Sequence, residues 1–113
     1  MDGRNKSDLI CRDACLRCKD IFQEKLTDCF LYGSYARGDY GPESDVDIAV
    51  IVNEKYENIN RNRCLISCIN SDLSLQYDVT VSITVQPKSL FDKFADVLPF
   101  YANIRKEGIR CAV

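Results

Sequence analysis

Apolar residues recur along this chain with two different periods. From about Ser7 to Lys25, the positions Cys11, Cys15, Cys18 and Phe22, continuing into Leu26, fall three or four apart. That is the spacing of one helical face, and Ser7 is placed to cap a first helix. Cys29–Tyr32 is a short apolar run ending at Gly33, which predicts a strand feeding a turn. The segment from Gly33 to Ser44 is polar and glycine-containing, with Gly41-Pro42 forcing a turn. Asp45 to Val52 then alternates: Val46, Ile48, Val50 and Val52 point one way, and Asp45, Asp47, Ala49 and Ile51 the other.

Helical spacing returns from about Lys55 to Leu73, with Ile59, Ile66, Ile69 and Leu73 on the buried stripe. Gln76 to Gln86 alternates most regularly, with Tyr77, Val79, Val81, Ile83 and Val85 on one face and Asp78, Thr80, Ser82, Thr84 and Gln86 on the other. Pro87 stops it. A last helix is predicted from near Lys88, with Leu90, Phe91, Phe94 and Leu98 inward. Pro99 breaks it, and a short helical turn through Ile104 ends at Gly108. Strands alternating with helices predict an α/β (α+β) fold: a small mixed sheet of about three strands with helices packed mainly on one face.

Composition narrows the setting. The chain has 113 residues, the size of one domain, with 46% hydrophobic and 28% charged residues. No apolar stretch is long enough to cross a membrane, and the opening MDGRNKSDLI lacks the apolar segment of a signal peptide. A cytoplasmic protein is expected. The formal net charge of −2 argues against direct nucleic-acid binding; Arg61, Arg63, Arg105, Lys106 and Arg110 could cluster into a local basic patch but read foremost as solvated surface charges.

Seven cysteines and no histidine change the picture further. An odd count without a secretion signal does not read as a disulfide framework. Cys11, Cys15 and Cys18 lie on the apolar stripe of the first helix and are expected to act as small buried hydrophobes. With Cys64 and Cys68 on another element and no histidine to help, they are not expected to complete a zinc site. The missing histidine also excludes Ser–His and Cys–His nucleophiles, which leaves carboxylates as the foremost general bases.

Candidate chemistry concentrates between Gly33 and Asp47. Gly33-Ser34 follows a strand and opens a turn, where a glycine lets backbone approach an anion and the serine hydroxyl adds a donor. This makes a candidate phosphate cradle. Asp45 and Asp47 are two apart on a strand, so their carboxylates share a face, and a cation between them relieves their repulsion. Mg²⁺ suits such a pair, filling its remaining positions with substrate phosphates and water. Asp78 opens the polar face of the later strand, where it is placed to act as a third carboxylate and general base if that strand lies beside Asp45–Val52.

The stretch GSYARGDYGPESDVDIAV resembles the signature of the DNA polymerase β-type nucleotidyltransferase superfamily: Gly-Ser, about ten residues, then Asp-x-Asp on a strand. Ala-Arg-Gly after Gly-Ser, together with Ser-Asp-x-Asp, resembles the small prokaryotic branch of minimal nucleotidyltransferase (MNT) domains, the MntA-like antitoxins. A weaker likeness runs from Asp28 to the end. The resemblance implies the nucleotidyltransferase fold and a single minimal domain over 1–113, with an N-terminal helix (1–27), a catalytic core (28–86) and a C-terminal helix and tail (87–113). It implies that Gly33 and Ser34 hold the β- and γ-phosphates of ATP or another nucleoside triphosphate. It also implies that Asp45, Asp47 and Asp78 bind Mg²⁺, with Asp78 as general base. Arg37 would either neutralise phosphate charge or pair with a nearby carboxylate. Many small members carry the third acid nearer the proline, where this chain has Ser82 and Thr84. Either the strand is long enough for Asp78 to serve, or the third carboxylate is lost.

The function implied by the resemblance is transfer of a nucleoside monophosphate, AMP from ATP foremost, to a hydroxyl. In the antitoxin branch the acceptor is a tyrosine of a HEPN-type toxin. Few residues come after Asp78, so the acceptor is expected on a partner or on a second copy of this chain. Two alternatives stand beside this: an inactive nucleotide-binding or docking module, and an antibiotic adenylyltransferase-like enzyme.

Overall fold

The computed structural model describes the backbone of residues 3–111 and the side chains of residues 6–111. Residues 1, 2, 112 and 113, at the ends of the expected 1–113 span, lie outside the described residues. Helix α1 (Gly3–Phe22) and a 3₁₀ turn (Gln23–Lys25) lead into strand β1 (Leu26–Tyr32) and a one-turn helix α2 (Ser34–Arg37). Strand β2 (Val46–Val52), helices α3 (Tyr56–Arg61) and α4 (Arg63–Tyr77) and strand β3 (Val81–Pro87) come next. Helices α5 (Lys88–Phe94) and α6 (Pro99–Glu107) and a two-residue strand β4 (Ile109–Arg110) complete the order.

The sheet order is β3-β2-β1-β4. Strand β2 runs antiparallel to β1 and parallel to β3, and β1 pairs antiparallel with β4. The fold class is the expected one, with β4 as a fourth strand too short for periodicity to reveal. The alternation in β2 sorts its side chains as expected. Val46, Ile48, Val50 and Val52 join the larger core with Ile66, Ile69 and Leu73 of α4 and Ile10, Cys15 and Cys18 of α1. Ala49 and Ile51 face Phe91, Tyr101 and Ile104 of α5 and α6. The two long helices therefore cover one face and the short C-terminal pair the other, so β2 is buried on both sides.

Three local expectations are corrected. Ser7 does not cap α1; the helix begins at Gly3, and Ser7 lies buried within it. The expected helix from Lys55 is two helices, joined at Asn62, whose φ of −100° and ψ of 10° depart from helical values. Its side-chain amide donates to the Asn58 carbonyl at 2.9 Å, a local bond that competes with the helical ladder. Most consequential is the expected strand Gln76–Gln86. Helix α4 continues through Tyr77, which sits one turn beyond the buried Leu73 and whose hydroxyl donates to Asp13 of α1. Asp78 ends the helix in the left-handed conformation (φ 53°, ψ 48°), and its N–H donates to the Ser74 carbonyl. Aspartate tolerates that conformation well. Asp78 is a helix cap, and the strand starts at Val81.

The cysteine expectation holds only in part. Cys18 is a buried core thiol whose pKa burial pushes up to about 12. Cys11 and Cys15, in contrast, meet Cys29 of β1 and Cys111 after β4, and all four sulfurs lie within 4.8 Å of one another. The structure closes them as two bridges, Cys11–Cys111 and Cys15–Cys29, with Cα separations of 6.2 and 6.3 Å. Periodicity along one helix has no access to partners separated by as many as 100 residues.

Ile48 is fully buried at the centre of the sheet. Ile48→Ala is expected to cost about 2–5 kcal/mol of stability, read as a lower urea midpoint with an unchanged slope.

Candidate functional site

The site forms where β1 and β2 end side by side. Their antiparallel register sets Tyr32 opposite Asp47, so the chain leaves β1 at the point where β2 presents its carboxylate. Gly33 makes the exit with φ 75° and ψ −154°, a region open essentially to glycine alone. It is also pressed against the acid: a Cβ built on Gly33 would lie 2.5 Å from Asp47 Oδ2. Any side chain here would displace that carboxylate. Gly33 then starts the single turn of α2, its carbonyl accepting from the N–H groups of Ala36 and Arg37 at 3.1 Å each.

The other edge of the site comes from the loop before β2. Ser44 Oγ accepts from the Gly41 N–H at 2.8 Å, closing the Gly41–Ser44 turn. The Val46 N–H donates to the Thr80 carbonyl at 2.8 Å, which anchors the loop to the start of β3. Asp45 is exposed just ahead of the strand and Asp47 is half-buried within it. Burial pushes the Asp47 pKa up, the Asp45 charge adds to the rise, and Arg37 opposes it. A partly desolvated carboxylate repelled by its neighbour is a group that a bound cation relieves.

Asp47 opens into a cavity of about 350 Å³ lined by Tyr32, Gly33, Ser34 and Arg37, and by Phe100, Asn103 and Glu107 of α6. Arg37 is held by Asp39 at 3.2 Å and Glu107 at 3.4 Å. Of the two expectations for Arg37, the carboxylate pairing is the one present. Tyr32 is half-buried, and burial raises its pKa, with a Thr84 hydrogen bond lowering it and the Asp47 charge raising it. Its ring meets Phe100 edge-on at 5.6 Å.

Gly33, Ser34, Arg37 and Asp47 thus come together, with Asp45 beside them. Asp78 does not join them. It lines a separate hollow with Pro42–Ser44 and Ser74–Leu75, because the helix carries it past the start of β3. The residue of β3 in register with Asp47 is Ser82, so this position offers a hydroxyl and not an acid. The Gly33 cradle and the Asp45/Asp47 pair fit one divalent cation with a phosphate chain. A second metal position fed by β3 does not fit.

The family model for the nucleotidyltransferase domain matches residues 15–110. The chain belongs to the nucleotidyltransferase domain family.

Two relatives of this nucleotidyltransferase are candidate protein adenylyltransferases of Methanocaldococcus jannaschii. One is 38% identical over 81 residues, covering 72% of this chain and 80% of the relative. The other is 31% identical over 90 residues, covering 80% and 82%. Solved structures share the fold. A candidate nucleotidyltransferase from Sulfolobus solfataricus has a TM-score of 0.57 at 18% identity, covering 97% of this chain and 86% of its own. A toxin–antitoxin complex with AMP-PNP has a TM-score of 0.55 at 20% identity, covering 88% and 70%. A mutant of the toxin–antitoxin MntA–HpeT has a TM-score of 0.53, also at 20% identity, covering 87% and 68%.

Sequence reasoning missed Tyr32, Phe100, Asn103 and Glu107 of this nucleotidyltransferase. Tyr32 adjoins Gly33 in sequence, but its pattern marks it only as the end of a strand. The three α6 residues carry no local signal, since nothing nearby in sequence places that helix over β1.

Two outcomes are expected from this geometry. Gly33→Ala is expected to lose about 1–3 kcal/mol from backbone strain and to weaken Mg-ATP binding by displacing Asp47, measured by thermal unfolding and nucleotide titration. For Asp47, the folded pKa lies above the unfolded value, so the folded state binds more protons between the two. Its contribution to stability therefore falls as pH rises through that window, and ionised Asp47 costs stability at neutral pH. Asp47→Asn is expected to raise Tm at pH 7 without divalent ions, with the gain vanishing below the ordinary carboxylate range. Added Mg²⁺ is expected to stabilise wild type and leave the variant unchanged.

Proposed function

We propose that this nucleotidyltransferase is a Mg²⁺-dependent adenylyltransferase that moves AMP from ATP to a hydroxyl of a protein acceptor. The observation that carries the reading is the contact between Gly33 and the half-buried Asp47 carboxylate at the mouth of the cavity. It joins a glycine-opened turn, where backbone can approach a phosphate, to an acid suited to a cation. The naming of two M. jannaschii relatives as candidate protein adenylyltransferases supports AMP and a protein acceptor.

In this reading Asp45 and Asp47 hold Mg²⁺, which when bound draws charge from the phosphates and makes pyrophosphate a better leaving group. Gly33 and Ser34 position the outer phosphates. Arg37 turns from its carboxylate partners toward the phosphate charge, and the Phe100–Glu107 side of α6 shapes the wall beside the nucleotide. The acceptor oxygen bonds the α-phosphorus as the bond to the leaving pyrophosphate breaks, and the acceptor proton passes to solvent. Two carboxylates rather than three carry the metal. Catalysis then rests chiefly on positioning and charge stabilisation.

The acceptor in this reading is a tyrosine of a HEPN-type toxin. The likeness to MntA-like antitoxins supports it, as do neighbours of the same fold solved within toxin–antitoxin complexes, one of them with AMP-PNP. The functional unit spans 1–113 and acts in the cytoplasm. Its C-terminal portion, 87–113, contributes to the site through α6, beyond the 28–86 core.

The test is transfer of label from α-labelled ATP with Mg²⁺, using the full chain with a co-expressed toxin-like partner. Label is expected on the partner, falling by about 100-fold or more in Asp47→Ala and persisting in Asp78→Ala. Absence of label anywhere, despite measurable Mg-ATP binding, would replace the transferase by a docking module. Label lost in Asp78→Ala would restore that residue to the site.

A further inference from the structure

Away from the nucleotide cavity, four cysteines from three separated segments converge. Cys11 and Cys15 lie one helical turn apart on the inner face of α1. Cys29 is the fourth residue of β1, on the same inward face as Leu31. Cys111 follows β4, and its N–H donates to the Cys29 carbonyl at 2.8 Å, which fixes it against the strand. Cys11, Cys15 and Cys29 are buried and Cys111 is half-buried. All four sulfurs fall within 4.8 Å of one another, the one such group of three or more ligand-type side chains among the described residues.

We propose that in the reduced chain Cys11, Cys15, Cys29 and Cys111 bind a single Zn²⁺ ion as a structural tetrathiolate. Two disulfides require only that two pairs of sulfurs be close; they place no demand on the distances between pairs. A tetrahedral metal requires every sulfur to be near every other, at about 3.8 Å for metal–sulfur bonds of about 2.3 Å. Mutual convergence is the feature seen here. The compactness also favours a single ion over an iron–sulfur cluster, whose several metal ions hold the cysteine sulfurs farther apart.

The remaining cysteines sharpen the assignment. Cys18 sits on the same helix but stays outside the group, while Cys64 and Cys68 are exposed on α4. The site therefore uses four ligands and leaves no half-built position. On binding, four thiols release four protons to solvent as four zinc–sulfur bonds form, leaving a centre of net charge −2. The ion ties α1 to both β1 and the segment after β4, closing the chain across 100 residues. It also pins β4, and through it the end of α6 that carries Glu107.

The test uses the full chain expressed with zinc and purified under reducing, air-free conditions. Metal analysis is expected to give about one zinc per chain, and native mass to exceed denatured mass by one zinc. Exchange with Co²⁺ is expected to give thiolate-to-cobalt charge-transfer absorption and the visible bands of tetrahedral cobalt. Cys15→Ala and Cys29→Ala are expected to lose the metal, and Cys18→Ala to keep it. If the first two variants do not fold, the wild-type mass and cobalt spectrum decide the matter alone. A metal-free reduced chain overturns the proposal. So does an intact mass lighter by two hydrogens for each of two bridges, iron in place of zinc, or loss of zinc in Cys18→Ala.

Discussion

Strand β2 must bury both of its faces and still deliver a carboxylate at its N-terminal end, and the rest of the structure is arranged around that conflict. Ile48, Ala49, Val50, Ile51 and Val52 are fully buried, which anchors the strand in two cores at once. Asp47 stands one residue before this run, between the buried Val46 and Ile48, on the face that lines the cavity. Its carboxylate is tolerated because Gly33 leaves room beside it and Arg37 offsets part of its charge. Rigidity comes from the apolar run, and the carboxylate stands at its edge. The same acid lowers stability when ionised, a cost that functional sites often carry.

The elements around β2 divide that work. Helices α1 and α4 seal the larger core and leave the cavity alone. Helices α5 and α6 pack Phe91, Tyr101 and Ile104 over Ala49 and Ile51, and this packing is what brings Asn103 and Glu107 to the cavity. The C-terminal segment therefore lines the candidate site as well as covering the sheet. The short strand β4, beside β1, holds the end of that segment in place.

The late start of β3 and the meeting of the cysteines share a physical origin. Tyr77 and Val79 are in phase with Val81, Ile83 and Val85 under a period of two, and Tyr77 is also in phase with Leu73 under helical spacing. Local pattern does not choose between them. Packing does: Tyr77 reaches Asp13 on α1 only as part of the helix, and Asp78 adopts the left-handed cap that ends it. In the same way, Cys11 and Cys15 look like ordinary stripe residues until the sheet brings Cys29 and Cys111 to them.

The sequence by itself determined the alternation that buries β2, the two long helical stripes, and the Gly-Ser and Asp-x-Asp residues that mark the family. All of these are short-range patterns, because helices and strands repeat over a few residues and a turn needs its glycine locally. Tertiary structure decided which acid stands beside Asp47, which face of α6 closes the cavity, and which cysteines meet. Those outcomes depend on contacts between residues far apart in the chain, such as Cys11 with Cys111 and Arg37 with Glu107, 100 and 70 positions apart. Such contacts are set by how the sheet and helices pack together, and no local periodicity encodes them.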